Sequence, residues 1–193
     1  YTTLFRSLFC VCDGMGGHAA GEVASSIAVE TIAKTAPQSA DAARLAAAVE
    51  AANAAVIEAA LNGLGKPGMG CTATCAYIEN DTLAIAHVGD SRAYLLHEGT
   101  LIRVTRDHSY VEELVDAGEI TADEARVHPN RSVITRALGS DPAMYADHFT
   151  LHIEEGDRLI LCSDGLSSMI PDSDIENIAT QSSTAQICVD NLV

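Results

Sequence analysis

The strongest constraint on this chain is a change in the period of its apolar residues at one glycine-rich stretch. Residues 62–70 hold four glycines and a proline, a composition that makes a loop and not a regular element. Before it, apolar side chains recur at helical spacing. Ala24, Ile27, Ala28, Thr31 and Ile32 mark a helix over residues 22–34, and Leu45, Ala48, Val49, Ala52, Val56 and Ala59 a second over 41–61. After it, the pattern alternates, and residues 71–79, 82–88, 93–97 and 101–105 read as strands. Their links are Asn80-Asp81, Gly89-Asp90-Ser91 and Glu98-Gly99. A parallel pair needs a crossover of about a dozen residues or more, so these neighbours pair antiparallel.

The remaining stretches extend the pattern. Residues 8–12 form a short apolar run that stops at Asp13-Gly14, which predicts a buried strand ending in a turn. Residues 109–130 are polar and partly helical, with Thr121-Ala122-Asp123-Glu124 as a helix start. Strands are expected again at 133–137, 148–153 and 158–162, and helices at 172–180 and 184–192. Helices first, hairpin strands next and helices last predict an α+β domain of antiparallel sheets covered by helices.

At 193 residues the chain holds one domain with a proper core. Its net charge of −16 would repel a phosphate backbone, which argues against a nucleic-acid partner. No run approaches the length of a membrane span, and the start lacks a secretory pattern. The six cysteines match no zinc template, and most fall in apolar alternating stretches, where reduced Cys acts as a small core residue. Cytoplasmic localisation is expected.

Three strand ends carry an Asp in a turn: Asp13-Gly14, Asp107-His108 and Asp164-Gly165. Singly, each is ordinary turn chemistry. Around the first, Asp13-Gly14-Met15-Gly16-Gly17-His18 places three glycines just after a strand, so that a carboxylate and a backbone carbonyl can approach one ion. Oxygen ligands of this kind suit Mg²⁺ or Mn²⁺.

VCDGMGGHAAGEVAS, GCTAT, VGDSRAYLL, TRDHS, HPNRSVITRALG and LCSDGL are similar, in this order, to the consecutive motifs of the type 2C metal-dependent protein serine/threonine phosphatases, most closely their bacterial branch. The resemblance implies a four-layer αββα sandwich of two antiparallel sheets flanked by helices. It also implies two Mn²⁺ or Mg²⁺ ions, with a weaker third, and hydrolysis of phosphoserine and phosphothreonine in proteins by a metal-bridged hydroxide. By motif match Asp13 bridges the two metals, the Gly14 carbonyl binds one, Asp164 binds the other, and Asp107 holds the third. Thr72, Asp90, Arg92 and Arg136 receive structural roles. Met15 stands where eukaryotic relatives carry a His, so His18 becomes the candidate proton donor, against the alternative that it only orients the following helix. Ser168 stands where some relatives have a further metal-binding Asp. Residues 109–130 correspond to the family's flap.

The first seven residues, YTTLFRS, resemble translated sequencing-adapter sequence and are set aside, leaving residues 8–193 as a phosphatase domain truncated at both ends. The family's opening Arg and Glu motif and its closing Asp-Asn motif find no match, so the fragment alone is expected to be inactive. The implied partners are phosphorylated proteins, the products of a cognate serine/threonine kinase, met by a monomer. The alternative is a degenerate phosphatase-like domain that binds phosphoproteins or regulates them.

Overall fold

The structure is a computed structural model describing residues 6–193, with the His18 side chain outside that description. In chain order the elements are β1 (Arg6–Val11), β2 (Gly14–Met15), α1 (His18–Thr35), α2 (Ala42–Leu61), β3 (Gly70–Cys71), β4 (Ala73–Glu79), β5 (Thr82–Val88) and β6 (Arg92–His97). There follow β7 (Thr100–Arg103), α3 (Tyr110–Asp116), α4 (Ala122–Val127), β8 (Asp147–His152), β9 (Arg158–Cys162), α5 (Asp164–Ser167), α6 (Asp172–Gln181) and α7 (Ala185–Leu192).

A four-stranded sheet runs β1-β4-β5-β8 and a three-stranded sheet β7-β6-β9, with every pairing antiparallel. Side-chain alternation decides the layers. On β4 and β5, Ala73, Cys75, Tyr77, Ala84, Ala86 and Val88 face α1 and α2, while Ala76, Leu83 and Ile85 face the second sheet. On β6 and β9, Ala93, Leu159 and Leu161 join that inner layer, and Tyr94 and Cys162 point outward to Ile175 of α6. Leu96 meets Ala179 of α6 and Cys188 of α7. Strands covered on both faces need apolar residues on both, so β4 and β5 read as near-continuous apolar runs. The result is the expected four-layer αββα sandwich.

The helices form where their apolar stripe predicts. On α2, Leu45, Val49, Ala52, Val56 and Ala59 lie buried on one face, and the Asp41 side chain caps the first turn by accepting from the Arg44 N–H at 3.0 Å.

Three expectations are corrected. No strand forms over residues 133–137; one bridge, Ser109 to Ile134, holds that segment, and Val133 and Thr135 are exposed with no partner strand beside them. The expected strand over 71–79 breaks at Thr72, where the opposing Asp13 N–H bonds to the Thr72 hydroxyl instead of its carbonyl. The strand expected over residues 8–12 runs instead over Arg6–Val11, pairing Arg6 with Glu79 and Ser7 with Ile78. The first five residues of the set-aside segment lie outside the described residues.

Candidate metal centre

The site is assembled at the ends of strands drawn from both sheets. β1 runs into Asp13, β5 into Asp90 and β9 into Asp164, which opens the short helix α5. Two glycines let the Asp13 turn sit directly under α1: a Cβ on Gly14 would collide with the Gly21 backbone, and one on Gly21 with that of Gly14.

Asp13 is fixed through its backbone. Its N–H donates to the Thr72 hydroxyl at 2.9 Å, and its carbonyl accepts the Thr72 N–H at 2.9 Å. The Thr72 hydroxyl lies 2.7 Å from that of Ser91, and the Thr74 hydroxyl donates to the Ser91 carbonyl at 2.9 Å. One chain of hydrogen bonds therefore holds both Asp13 and the turn that carries Asp90.

The carboxyl groups of Asp13 and Asp164 come within hydrogen-bonding reach of each other. Burial, and then the charge and hydrogen bond of Asp164, raise the Asp13 carboxyl above its ordinary value. Asp90 is pushed up to about 6, first by burial and then by the charges of Asp164, Asp107 and Asp13. Three carboxylates thus stand in a mutually repulsive group, and Asp90, read from the sequence as structural, is one of them. The signal that could have found it is the one that found the others, an Asp in a turn at a strand end.

Asp107 is placed differently. Arg92 Nε donates to both its carboxylate oxygens at 3.0 and 3.1 Å, Arg92 Nη2 approaches one at 2.7 Å, and Arg103 Nη2 lies 2.8 Å from the other. Both oxygens are committed to guanidinium groups. The carboxylate expected to bind a third ion is the anchor of an ion-pair network that ties β6 and β7 to the loop after them. The His18 side chain lies outside the described residues, and Met15 is exposed.

Beside Asp107, His108 accepts the Gly89 N–H on Nδ1 at 3.0 Å, so the proton sits on Nε2, which donates to Asp147 at 3.0 Å. Arg136 Nη1 donates to the other Asp147 oxygen at 2.6 Å. Burial raises the Asp147 carboxyl, but the hydrogen bonds from His108 and Arg136 outweigh it and hold the group below its ordinary value.

A cavity of about 400 Å³ opens between the carboxylates and the segment 109–132. Asp90, Asp107 and Asp164 line one side; Val111, Ala122, Arg126 and Arg131 line the other. Among the described residues neither Arg126 nor Arg131 has a carboxylate partner, and Arg126 reaches only the Ser167 carbonyl, at 3.5 Å.

The donor chemistry fits a hard divalent cation. Carboxylate oxygens forced together in a partly dry setting are relieved by positive charge, and only oxygen donors converge here. As they stand, no three such groups among the described residues are close enough to hold an ion. The Asp13–Asp164 pair is the nucleus of a site, not a filled shell.

Comparison with known proteins agrees. The family "Protein phosphatase 2C" matches residues 4–193. The serine/threonine phosphatase stp of Listeria welshimeri is 39% identical over 180 residues, which are 90% of this chain and 71% of that protein. The crystal structure of the Mycobacterium tuberculosis serine/threonine phosphatase PstP/Ppp superposes with a TM-score of 0.89 at 37% identity, covering 98% of this chain and 82% of that one. A structure of the PstP catalytic domain in complex with two manganese ions gives 0.86 at 35% identity, covering 98% and 81%. With residues 4–193 matched and its four layers shared, this chain belongs to the protein phosphatase 2C family.

Proposed function

We propose that this chain is the catalytic domain of a metal-dependent phosphatase that hydrolyses phosphoserine and phosphothreonine in proteins. The observation that carries the reading is the meeting of Asp13 and Asp164, far apart in sequence, with their carboxyl groups in contact. Asp13, the Gly14 carbonyl and Asp164 hold the two cations. Asp90, facing Asp164 and Asp13, takes the part that the sequence gave to Asp107. Bound Mn²⁺ or Mg²⁺ supplies an acidified water as nucleophile and offsets charge on the phosphoryl oxygens.

The chain's own residues do the rest. The Thr72–Ser91 hydrogen bonds fix the Asp13 backbone, so the carboxylate cannot swing away when its charge is neutralised. Arg126 and Arg131, without a carboxylate partner among the described residues, face the acidic side across the cavity and suit the oxygens of a phosphorylated side chain. His18, at the end of the glycine turn, is assigned the proton for the departing serine or threonine oxygen. Segment 109–130, carrying α3 and α4, acts as the flap over the phosphorylated residue. The reading is of a monomer in the cytoplasm, acting on proteins that a serine/threonine kinase has phosphorylated; no helix among the described residues is long and apolar enough to cross a membrane.

The test measures metal uptake and phosphate release side by side. Mn²⁺ should raise the melting temperature and bind in calorimetry, and Asp13→Asn or Asp164→Asn should remove both effects. Phosphate release from a phosphothreonine peptide, assayed beside the full-length Listeria enzyme, should need Mn²⁺ and stop with chelator in a chain extended by the family's opening Arg and Glu motif and closing Asp-Asn motif, while the 193 residues alone should be nearly inactive. Metal uptake without turnover in the extended chain would favour a phosphoprotein-binding domain; no uptake at all would defeat the proposal.

A further inference from the structure

Four of the six cysteines, all free, gather at one place beside the metal centre, and phosphate hydrolysis uses none of them. Cys10 Sγ lies 3.1 Å from Cys75 Sγ and 3.5 Å from Cys12 Sγ, and Cys71 is buried in the same cluster. The line of sulfurs runs across β1, β4 and β3 under α1 and α2. Among the described residues these cysteines form no group that could hold a metal ion.

We propose that Cys10 and Cys75 are a modification site: on exposure to a hydroperoxide they close a reversible cross-strand disulfide. Among the described ladders this is the one pair of cysteines that register sets opposite each other. Cys10 and Cys75 are direct partners in the antiparallel β1–β4 ladder. Directly opposed residues have Cα atoms about 4.5–5.5 Å apart, inside the roughly 4.4–6.8 Å that a disulfide spans. Cys10 and Cys12 lie two residues apart in extended chain at the end of β1, about 6.6 Å at 3.3 Å per residue, at the far end of that span. Cys10 sits half-buried on the edge strand of its sheet, while Cys75 is fully buried, so the peroxide meets Cys10 first. Hydrogen bonds with Cys12 and Cys75 also lower the Cys10 thiol, which favours the nucleophilic thiolate there.

The step balances. The Cys10 thiolate attacks one peroxide oxygen, the O–O bond breaks, and the leaving oxygen takes a proton to become water or an alcohol. The Cys10 sulfenic acid is then attacked by the Cys75 sulfur; an S–S bond forms, the S–O bond breaks, and the hydroxyl leaves with the Cys75 proton as water. Each sulfur loses one electron and the peroxide gains two. A dithiol reverses it by exchange. Cys12 directly precedes Asp13, and Thr72 lies three residues before Cys75, so the bond ties together the two strands that position the carboxylate.

The experiment treats the native chain with hydrogen peroxide and maps peptides without reduction. The expected result is one linked pair, Cys10 to Cys75, four free thiols out of six, and return of all six on adding dithiothreitol. In Cys75→Ser the reaction should stop at a Cys10 sulfenic acid that dimedone traps. In Cys10→Ser no link should form, while Cys188→Ser, in α7, should leave the link intact. A native chain that keeps six thiols, or links only after urea or through Cys162 or Cys188, overturns the proposal. None of these readouts depends on metal binding or turnover, so the result stands apart from the phosphatase reading.

Discussion

Thr72 and Asp13 bond to each other twice: the Asp13 N–H donates to the Thr72 hydroxyl and the Thr72 N–H to the Asp13 carbonyl, each at 2.9 Å. Asp13 and Thr72 stand opposite each other in the register that β1–β4 and β2–β3 share, and the ladder is interrupted there because the Asp13 N–H bonds to the Thr72 hydroxyl rather than to its carbonyl. The same residue explains a backbone requirement at Gly89, where φ is +108° and a Cβ would run into the Thr72 side chain.

Thr72→Val keeps the shape and removes the hydroxyl, leaving the Asp13 N–H and the buried Ser91 hydroxyl short of a partner. The expected cost is about 1–3 kcal/mol of stability, because an unmatched buried donor forfeits its full desolvation. Urea unfolding reads this directly, and Mn²⁺ affinity should fall with it. An unchanged midpoint would mean that the exchange carries no weight.

The pH dependence of the metal-free protein follows from two carboxylates shifted in opposite directions. The folded value of Asp90, about 6, lies above its unfolded value, so the folded state holds the proton more tightly. Stability from this group is therefore present below about pH 4 and lost as pH rises through 6, on the order of 2–3 kcal/mol at most. Asp147 is held below its ordinary value, so its contribution is present above about pH 4 and lost as pH falls through its folded value. Denaturation between pH 3 and 7 without metal should show both limbs, and Asp90→Asn should flatten only the upper one.

Asp90 and Asp107 can be separated by metal titration. Both oxygens of Asp107 are committed to Arg92 and Arg103, whereas Asp90 faces the other acidic groups. Asp90→Asn should weaken binding of the weakest Mn²⁺ ion about tenfold or more, while Asp107→Asn should mainly lower stability. Calorimetry at matched folded fraction decides it; the opposite ranking would restore the sequence expectation.

How much of this was legible depended on the range of the interactions. β5 and β9 match their expected spans, and α2 differs by one residue, because a buried strand or an amphipathic helix writes its burial into consecutive side chains. The ladder of Gly14–Met15 with Gly70–Cys71 could not be read, since two residues carry no period and the pairing exists only once α1 packs on the turn. Residues 133–137 alternate like a strand but find no partner strand. The ion pairs of Asp107 could not be read either, because Arg92 and Arg103 come from β6 and β7 and only the fold brings them to it.

Arg92 is the hinge of that network. Its guanidinium binds Asp107 through two nitrogens and donates to the Tyr94 hydroxyl at 3.0 Å, which in turn donates to Asp172 at 2.9 Å, joining β6 to the start of α6. Arg92→Met would leave the buried Asp107 with Arg103 alone, and removing one partner of a buried pair costs about 3–5 kcal/mol. The double change Arg92→Met with Asp107→Leu should recover part of that loss, because no uncompensated charge remains. A double-mutant cycle in urea measures the difference, and strict additivity would argue against the network.

Removing charge at the Asp13–Asp164 contact should act with opposite sign in the presence and absence of metal. Without metal, burial and the neighbouring carboxylate both penalise the ionised Asp13, so near neutral pH the group weakens the fold. Asp13→Asn keeps size and hydrogen-bonding capacity and deletes one of the two like charges, so the metal-free melting temperature should rise. With millimolar Mn²⁺ the order should reverse, because only the unsubstituted chain gains from metal bound to the folded state, by RT ln(1 + [L]/Kd). A crossing of the two melting curves as Mn²⁺ is added is therefore the signature of a repulsive pair built for a cation. If Asp13→Asn melts lower in both conditions, the carboxyl group holds the structure together, and the contact with Asp164 is a shared proton that no metal needs to replace.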